Sequence, residues 1–154
     1  MTQVQLNTIK VDGVNVFYRS AGPPAAPVLL LLHGFPASSF QFRELIPLLA
    51  SKFRVLAPDL PGFGFTEVPA ERKYQYTFDN LSLTVEALLD ALNVHKFAVY
   101  IFDYGVRTLS RFLFPSAPTS NPSSNADSNQ KKNAIINNQT LVVPDGIPHR
   151  HTAP

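Results

Sequence analysis

The sequence predicts an α/β fold: a parallel sheet with helices between its strands, entered through an antiparallel hairpin. Three short apolar runs predict the sheet: Val28-Leu29-Leu30-Leu31-Leu32, Phe53-Arg54-Val55-Leu56-Ala57 and Phe97-Ala98-Val99-Tyr100-Ile101-Phe102. Runs of this kind read as strands buried on both faces, as in a parallel sheet. Segments of helical periodicity separate them. Before the first run, polar and apolar residues alternate around Asp12-Gly13, a strong hairpin signal.

The elements follow in order. Gln3–Lys10 and Val14–Arg19 are the hairpin arms, with one solvated face. Ala21 to Pro27 is a Pro- and Gly-rich loop. The Val28 strand ends at His33-Gly34-Phe35-Pro36. Ser38 or Ser39 caps a helix carrying Phe42, Leu45, Ile46 and Leu49 on one face, and Pro47 should kink or interrupt it. The Phe53 strand ends in Pro58-Asp59-Leu60-Pro61-Gly62-Phe63-Gly64. Thr77 precedes an amphipathic helix with Phe78, Leu81, Val85, Leu88 and Leu92 at helical spacing, stopped at Asn93. The strand Lys96–Phe102 then delivers Asp103 into a turn marked by Gly105. A further helix (Val106, Leu109, Phe112) runs into Pro115.

At 154 residues the chain is long enough for one domain of ordinary size. Its net charge is +2 with no basic block beyond Lys131-Lys132, which argues against a nucleic-acid partner. Cysteine is absent, so disulfide and thiolate chemistry are excluded. Met1–Gly13 has no apolar signal core, and Val28–Leu32 is far too short to span a bilayer. A cytoplasmic protein with no membrane partner is the expectation. All twelve Phe and five Tyr lie at or before Phe114. Residues 115–154 are crowded instead with Ser, Asn and Pro, which bury too little apolar surface to offset the entropy of ordering. The chain therefore divides into a globular part, 1–114, and a tail, 115–154, expected to be disordered. Thr140-Leu141-Val142-Val143 is the tail's one short strand candidate.

In a parallel sheet the three strand ends converge where open α/β sheets place their ligands. Asp103 at such an end reads either as a cap of the following helix or as a carboxylate facing a ligand. His33-Gly34-Phe35-Pro36, Asp59-Leu60-Pro61-Gly62-Phe63-Gly64 and Asp103-Tyr104-Gly105 add to this. In this order and spacing they resemble the N-terminal half of the α/β-hydrolase fold. The similarity is to the branch with an Asp nucleophile, which holds epoxide hydrolases and haloalkane dehalogenases, and it runs from about Thr8 to Gly105. It implies an incomplete α/β-hydrolase sheet, an antiparallel hairpin plus three parallel strands with helices, followed by the tail.

The same resemblance implies roles. Asp103 would sit at a nucleophile elbow, with the backbone N–H groups of Phe35 and Tyr104 as an oxyanion hole. His33 would brace its loop and serve neither as base nor as metal ligand, and no cofactor or metal is implied. A free carboxylate needs no base to attack saturated carbon. The implied partner is thus a small-molecule substrate, an epoxide or organohalide, and the implied product an alkyl–enzyme ester. Gly34 is expected to permit a tight backbone turn, and Asp59 to hold its own turn by hydrogen bonds.

Several positions depart from the family pattern. Ile101 stands where a small residue is usual and is expected to crowd the turn. The chain has no Trp to hold a halide, and Phe35 stands where many haloalkane dehalogenases carry Asn. Both put epoxide opening ahead. Arg107 matches the substrate-carboxylate clamp of fluoroacetate dehalogenases, or is a solvated helix residue. After Asp103 the only acids are Asp127 and Asp145 and the only histidines His149 and His151. All lie in the tail, which has no means to hold a base on a reacting water. His149-Arg150-His151 is a weak metal signal, and Asn138-Gln139-Thr140 matches a glycosylation pattern without a secretory signal. The expectation is a truncated hydrolase fragment that does not turn over. The alternative is a dead fragment whose bare strand edge pairs with a partner or a second copy. The composition break itself reads as a change of reading frame, a retained intron or a joined gene fragment.

Overall fold

β1 (Gln5–Val11) and β2 (Val14–Ala21) form the hairpin, and Asp12 and Gly13 between them take φ of 49° and 70°. Positive φ at both central positions gives a turn whose twist matches the paired strands, which is why Asp-Gly stands there. The computed structural model describes residues 3–105, 107–108 and 141–142. Its further strands are β3 (Val28–Leu32), β4 (Arg54–Pro58), β5 (Phe97–Ile101) and β6 (Leu141–Val142). Their order across the sheet is β1-β2-β4-β3-β5-β6. β2 joins β4 antiparallel, whereas β3 runs parallel to both β4 and β5. The C-terminal ends of the three parallel strands therefore share one edge, with β3 in the middle.

The pleat divides the core in two. Leu30 and Leu32 of β3, Leu56 of β4, and Val99 and Ile101 of β5 pack with Leu81, Val85 and Leu88 of α2 (Phe78–Ala91). On the other face Leu31, Val55 and Ala57 pack with Phe42 and Ile46. The Thr77 hydroxyl caps α2 by accepting the Asn80 N–H at 3.2 Å. Asn93, at φ 53°, takes the left-handed conformation that ends helices.

Three features differ from the sequence expectation. The first helix is two pieces, a 3₁₀ turn at Ser39–Phe42 capped by Ser38 and α1 (Leu45–Leu49). The break falls at Arg43–Glu44, ahead of Pro47. Pro47 itself lies in the first turn of α1, where an N–H has no intrahelical acceptor to lose. β5 is buried only toward α2, and Ala98 and Tyr100 on its other face are half-buried. Among the described residues the helical pieces lie over β2, β3 and β4, and this face of β5 meets the rim of that layer, where Phe42 touches Tyr100 edge-on at 6.0 Å. Nor is the outer edge of β5 bare. β6 pairs antiparallel with it, Val142 opposite Ala98 and Leu141 opposite Val99. Strand addition thus loses the open edge at these two positions, because the tail's own apolar pair satisfies the backbone there. The rest of residues 115–154, including Asp127, Asp145, His149, His151 and Asn138, lies outside the described residues, as do Val106, Leu109 and Phe112. Among the described residues no helix is long and apolar enough to cross a membrane.

The burial of α2 makes a simple prediction. Leu88 is fully buried and Leu83 on the same helix is 37% exposed. Leu88→Ala should cost about 2–5 kcal/mol in urea unfolding, and Leu83→Ala no more than about 0.5 kcal/mol.

Candidate active site

The ends of β3 and β5 approach so closely that glycine is required twice. A Cβ on Gly34 would lie 2.7 Å from the Asp103 Cβ, and one on Gly105 would lie 2.8 Å from the Leu32 carbonyl oxygen. Gly34 is therefore needed for clearance; its φ is not among the positive ones. The β-ladder continues one step past β5, with the Phe102 N–H donating to Leu32 O at 3.2 Å. The chain then turns sharply. Gly105 N–H closes the turn on Phe102 O at 2.9 Å, and Asp103 takes φ 51°. For a residue with a Cβ this left-handed conformation costs roughly 1–2 kcal/mol, and Asp is one of the residues that tolerates it. Ile101 does not crowd this turn, because its side chain points away into the core under α2.

The turn leaves the Asp103 side chain exposed, and its Oδ1 accepts the Phe35 N–H at 3.0 Å. Two residues far apart in sequence are thus brought together. Tyr104 is the first helical residue after the turn, so its N–H is one that a helix leaves without an intrahelical acceptor. The Thr108 hydroxyl donates back to Tyr104 O at 3.0 Å, and the Ser82 hydroxyl of α2 donates to Thr108 O. This fixes the short helical segment against α2. Arg107 is exposed, with its guanidinium 5.5 Å from the centre of the Phe78 ring. It is a solvent-exposed helix residue whose guanidinium also packs on an aromatic face.

Buried polar residues hold the loops beneath. His33 is wholly buried; its Nε2 accepts the Leu60 N–H at 3.0 Å and its Nδ1 lies 2.9 Å from Gly34 O. Because Nε2 accepts, Nδ1 carries the proton and donates. His33 thereby ties the loop after β3 to the loop after β4. Asp59, also buried, accepts from Ser39 N–H at 2.6 Å and from Phe65 N–H at 2.8 Å, and its carbonyl accepts from the Thr66 hydroxyl at 2.6 Å. Both carboxylate oxygens are committed to backbone, so Asp59 is a structural strut.

Sequence reasoning missed the aromatic assembly above these struts. Tyr104 stacks on Phe35 at 5.4 Å, with Phe78 at 5.1 Å and Phe63 at 6.3 Å. Phe63 in turn meets His33 edge-on at 5.3 Å. Only a partial hint lay in the sequence, in that each of the three strand-end motifs carries one of these aromatic residues. A cleft of about 530 Å³ opens here, lined by Phe35, Pro61, Gly62, Phe63, Tyr76, Phe78, Leu81 and Tyr104. Among the described residues no group of three or more His, Asp or Glu is placed to hold a metal ion.

Burial lowers the pKa of His33 below its usual 6.5, outweighing the Gly34 carbonyl and the Asp59 carboxylate, which raise it. Below that value the unfolded chain takes up a proton that the folded chain refuses. This contribution to stability is complete above pH 6.5 and is lost progressively as the pH falls below it. Between about pH 7 and 5.5, urea unfolding should show wild-type stability falling faster than that of His33→Gln. Equal slopes would contradict the buried neutral assignment.

Comparison with known proteins agrees with this architecture. Residues 27–113 match the family model for the alpha/beta hydrolase fold. The chain is 60% identical over 94 residues to an uncharacterised hydrolase of Saccharomyces cerevisiae, covering 61% of this chain and 32% of that protein. Over 93 residues it is 39% identical to a haloalkane dehalogenase of Psychrobacter cryohalolentis, covering 60% of this chain and 30% of the relative. The crystal structure of an epoxide hydrolase from Vigna radiata superposes with a TM-score of 0.64 at 34% identity, covering 72% of this chain and 34% of that one. The chain thus spans about a third of the length of these relatives. Strand order, strand-end motifs and a family match across more than half its residues agree: this chain belongs to the alpha/beta hydrolase fold family.

Proposed function

We propose that this chain carries the ester-forming half of a hydrolase site, with Asp103 as a carboxylate nucleophile toward epoxides. The observation that supports it most is the exposed Asp103 side chain, at φ 51°, accepting the Phe35 N–H at 3.0 Å. With Oδ1 tethered, Oδ2 attacks an epoxide carbon. The Oδ2–C bond forms, the ring C–O bond breaks, and the ring oxygen takes a proton from water. Asp103 is left as a hydroxyalkyl ester whose carbonyl oxygen is the tethered Oδ1. When water attacks that ester, negative charge grows on this oxygen. The N–H groups of Phe35 and Tyr104 would hold it, one such donor being worth about 3 kcal/mol in a formed site.

Release of the ester needs a base held on water. The acids and histidines that follow Asp103 are Asp127, Asp145, His149 and His151, in a segment whose composition does not fix such geometry. The ester is therefore expected to accumulate, and the chain to react once. Epoxide hydrolases among the relatives, such as the human one at 36% identity over 97 residues, support the substrate class. A second reading has one observation in its favour. Arg107 sits against Phe78, a wall of the cleft, and its charge would attract a halocarboxylate. Displacement of halide by Oδ2 would then give the corresponding ester.

Intact and peptide mass after exposure to a reactive epoxide tests the proposal, with chloroacetate in parallel. Asp103 should gain the mass of one epoxide and keep it, and Asp103→Asn should gain nothing. Gly34→Ala, whose new Cβ meets Asp103, should slow the modification about 100-fold. An unmodified Asp103 with epoxide would overturn the proposal, and modification by chloroacetate alone would favour the second reading. Repeated turnover to free diol would overturn the single-turnover claim while upholding Asp103.

A further inference from the structure

We infer that the cleft beside Asp103 selects epoxides that carry an aryl group, an inference that rests on the function proposed above. Five of its walls are rings, drawn from four segments: Phe35 after β3, Phe63 after β4, Tyr104 after β5, and Tyr76 and Phe78 just before and at the start of α2. Their mutual orientations differ. Tyr104 lies nearly parallel to Phe35, with 29° between planes, while Phe63 stands edge-on to both, at 87° and 72°. The assembly therefore offers ring faces and ring edges to an incoming group. An aromatic guest finds offset-stacked and edge-to-face partners there, whereas a saturated guest of equal size gains only burial.

Two of the rings are packed before a ligand arrives. Phe78 carries the Arg107 guanidinium over its ring at 5.5 Å, and Phe63 rests edge-on to the buried His33 at 5.3 Å. Preordered walls favour a rigid planar guest over a flexible chain. The volume, about 530 Å³, lies within the range of small-molecule sites. Phe35, whose amide donates to Asp103, and Tyr104, the next residue along the chain from Asp103, are themselves walls of the cleft. A ring bound here is thus held next to Asp103.

The test uses the full chain and two epoxides of similar size, (2,3-epoxypropyl)benzene and (2,3-epoxypropyl)cyclohexane. In each the oxirane is separated from the ring by one methylene, so their intrinsic reactivities agree. Initial rates of Asp103 modification, read by peptide mass, should favour the phenyl compound about tenfold. Phe78→Leu should bring the ratio toward one by slowing the phenyl compound more than the cyclohexyl one, and Phe35 amide exchange as slow as in the wild-type chain shows that the turn still forms. Equal wild-type rates would overturn the aryl preference and leave Asp103 standing as nucleophile. Modification by neither compound would overturn the nucleophile itself, and the preference with it.

Discussion

The approach of two strand ends governs the rest of this structure. At the end of β3 the chain has no Cβ at residue 34, and at the end of β5 it places Asp103 in the space that absence leaves. The Phe35 N–H and the Asp103 carboxylate meet because of that clearance, across a sequence separation of 68 residues. A solvent-exposed hydrogen bond contributes about 1 kcal/mol, against the roughly 1–2 kcal/mol that the left-handed backbone at Asp103 costs. The contact thus offsets part of the strain of the turn that presents the side chain.

Much of the surrounding fold exists to keep those strand ends in place. The wholly buried Leu30, Leu31 and Leu32 alternate between two cores, so β3 is anchored from both faces. His33 and Asp59 then stitch the loops that leave β3 and β4, each with its polar atoms turned to backbone. From above, rings on all three loops close over the same region. A polar layer below and an aromatic layer above make a stiff platform from loops that have little secondary structure of their own.

The strands, the caps at Ser38 and Thr77, and the places of His33, Asp59 and Asp103 were legible because each has a local cause: apolar run, hydroxyl cap, turn chemistry. What was not legible depends on distance in space. The aromatic assembly joins residues 35, 63, 78 and 104, and no local pattern says that their rings meet. Gly34 carries no sign that its neighbour is Asp103, so a backbone turn was the natural but mistaken reason for it. Ile101 was expected to crowd the turn because a small residue is usual at its position; the pleat of the whole sheet, which no local pattern shows, turns its side chain into the core instead. Thr140–Val143 was legible as a short strand candidate, but its pairing with β5 was not, because nothing local in so short a run names its partner. The family roles of Phe35 and Tyr104 came from resemblance, since a backbone N–H leaves no trace in sequence.

Amide hydrogen exchange at Phe35 tests most directly whether the two strand ends are held together as described. The N–H should be protected in the wild-type chain and exchange about tenfold faster in Asp103→Ala, with the amides of β3 unchanged. Equal exchange at Phe35 in the two chains would mean that Asp103 does not hold this amide, and the geometry on which the proposed chemistry stands would be gone.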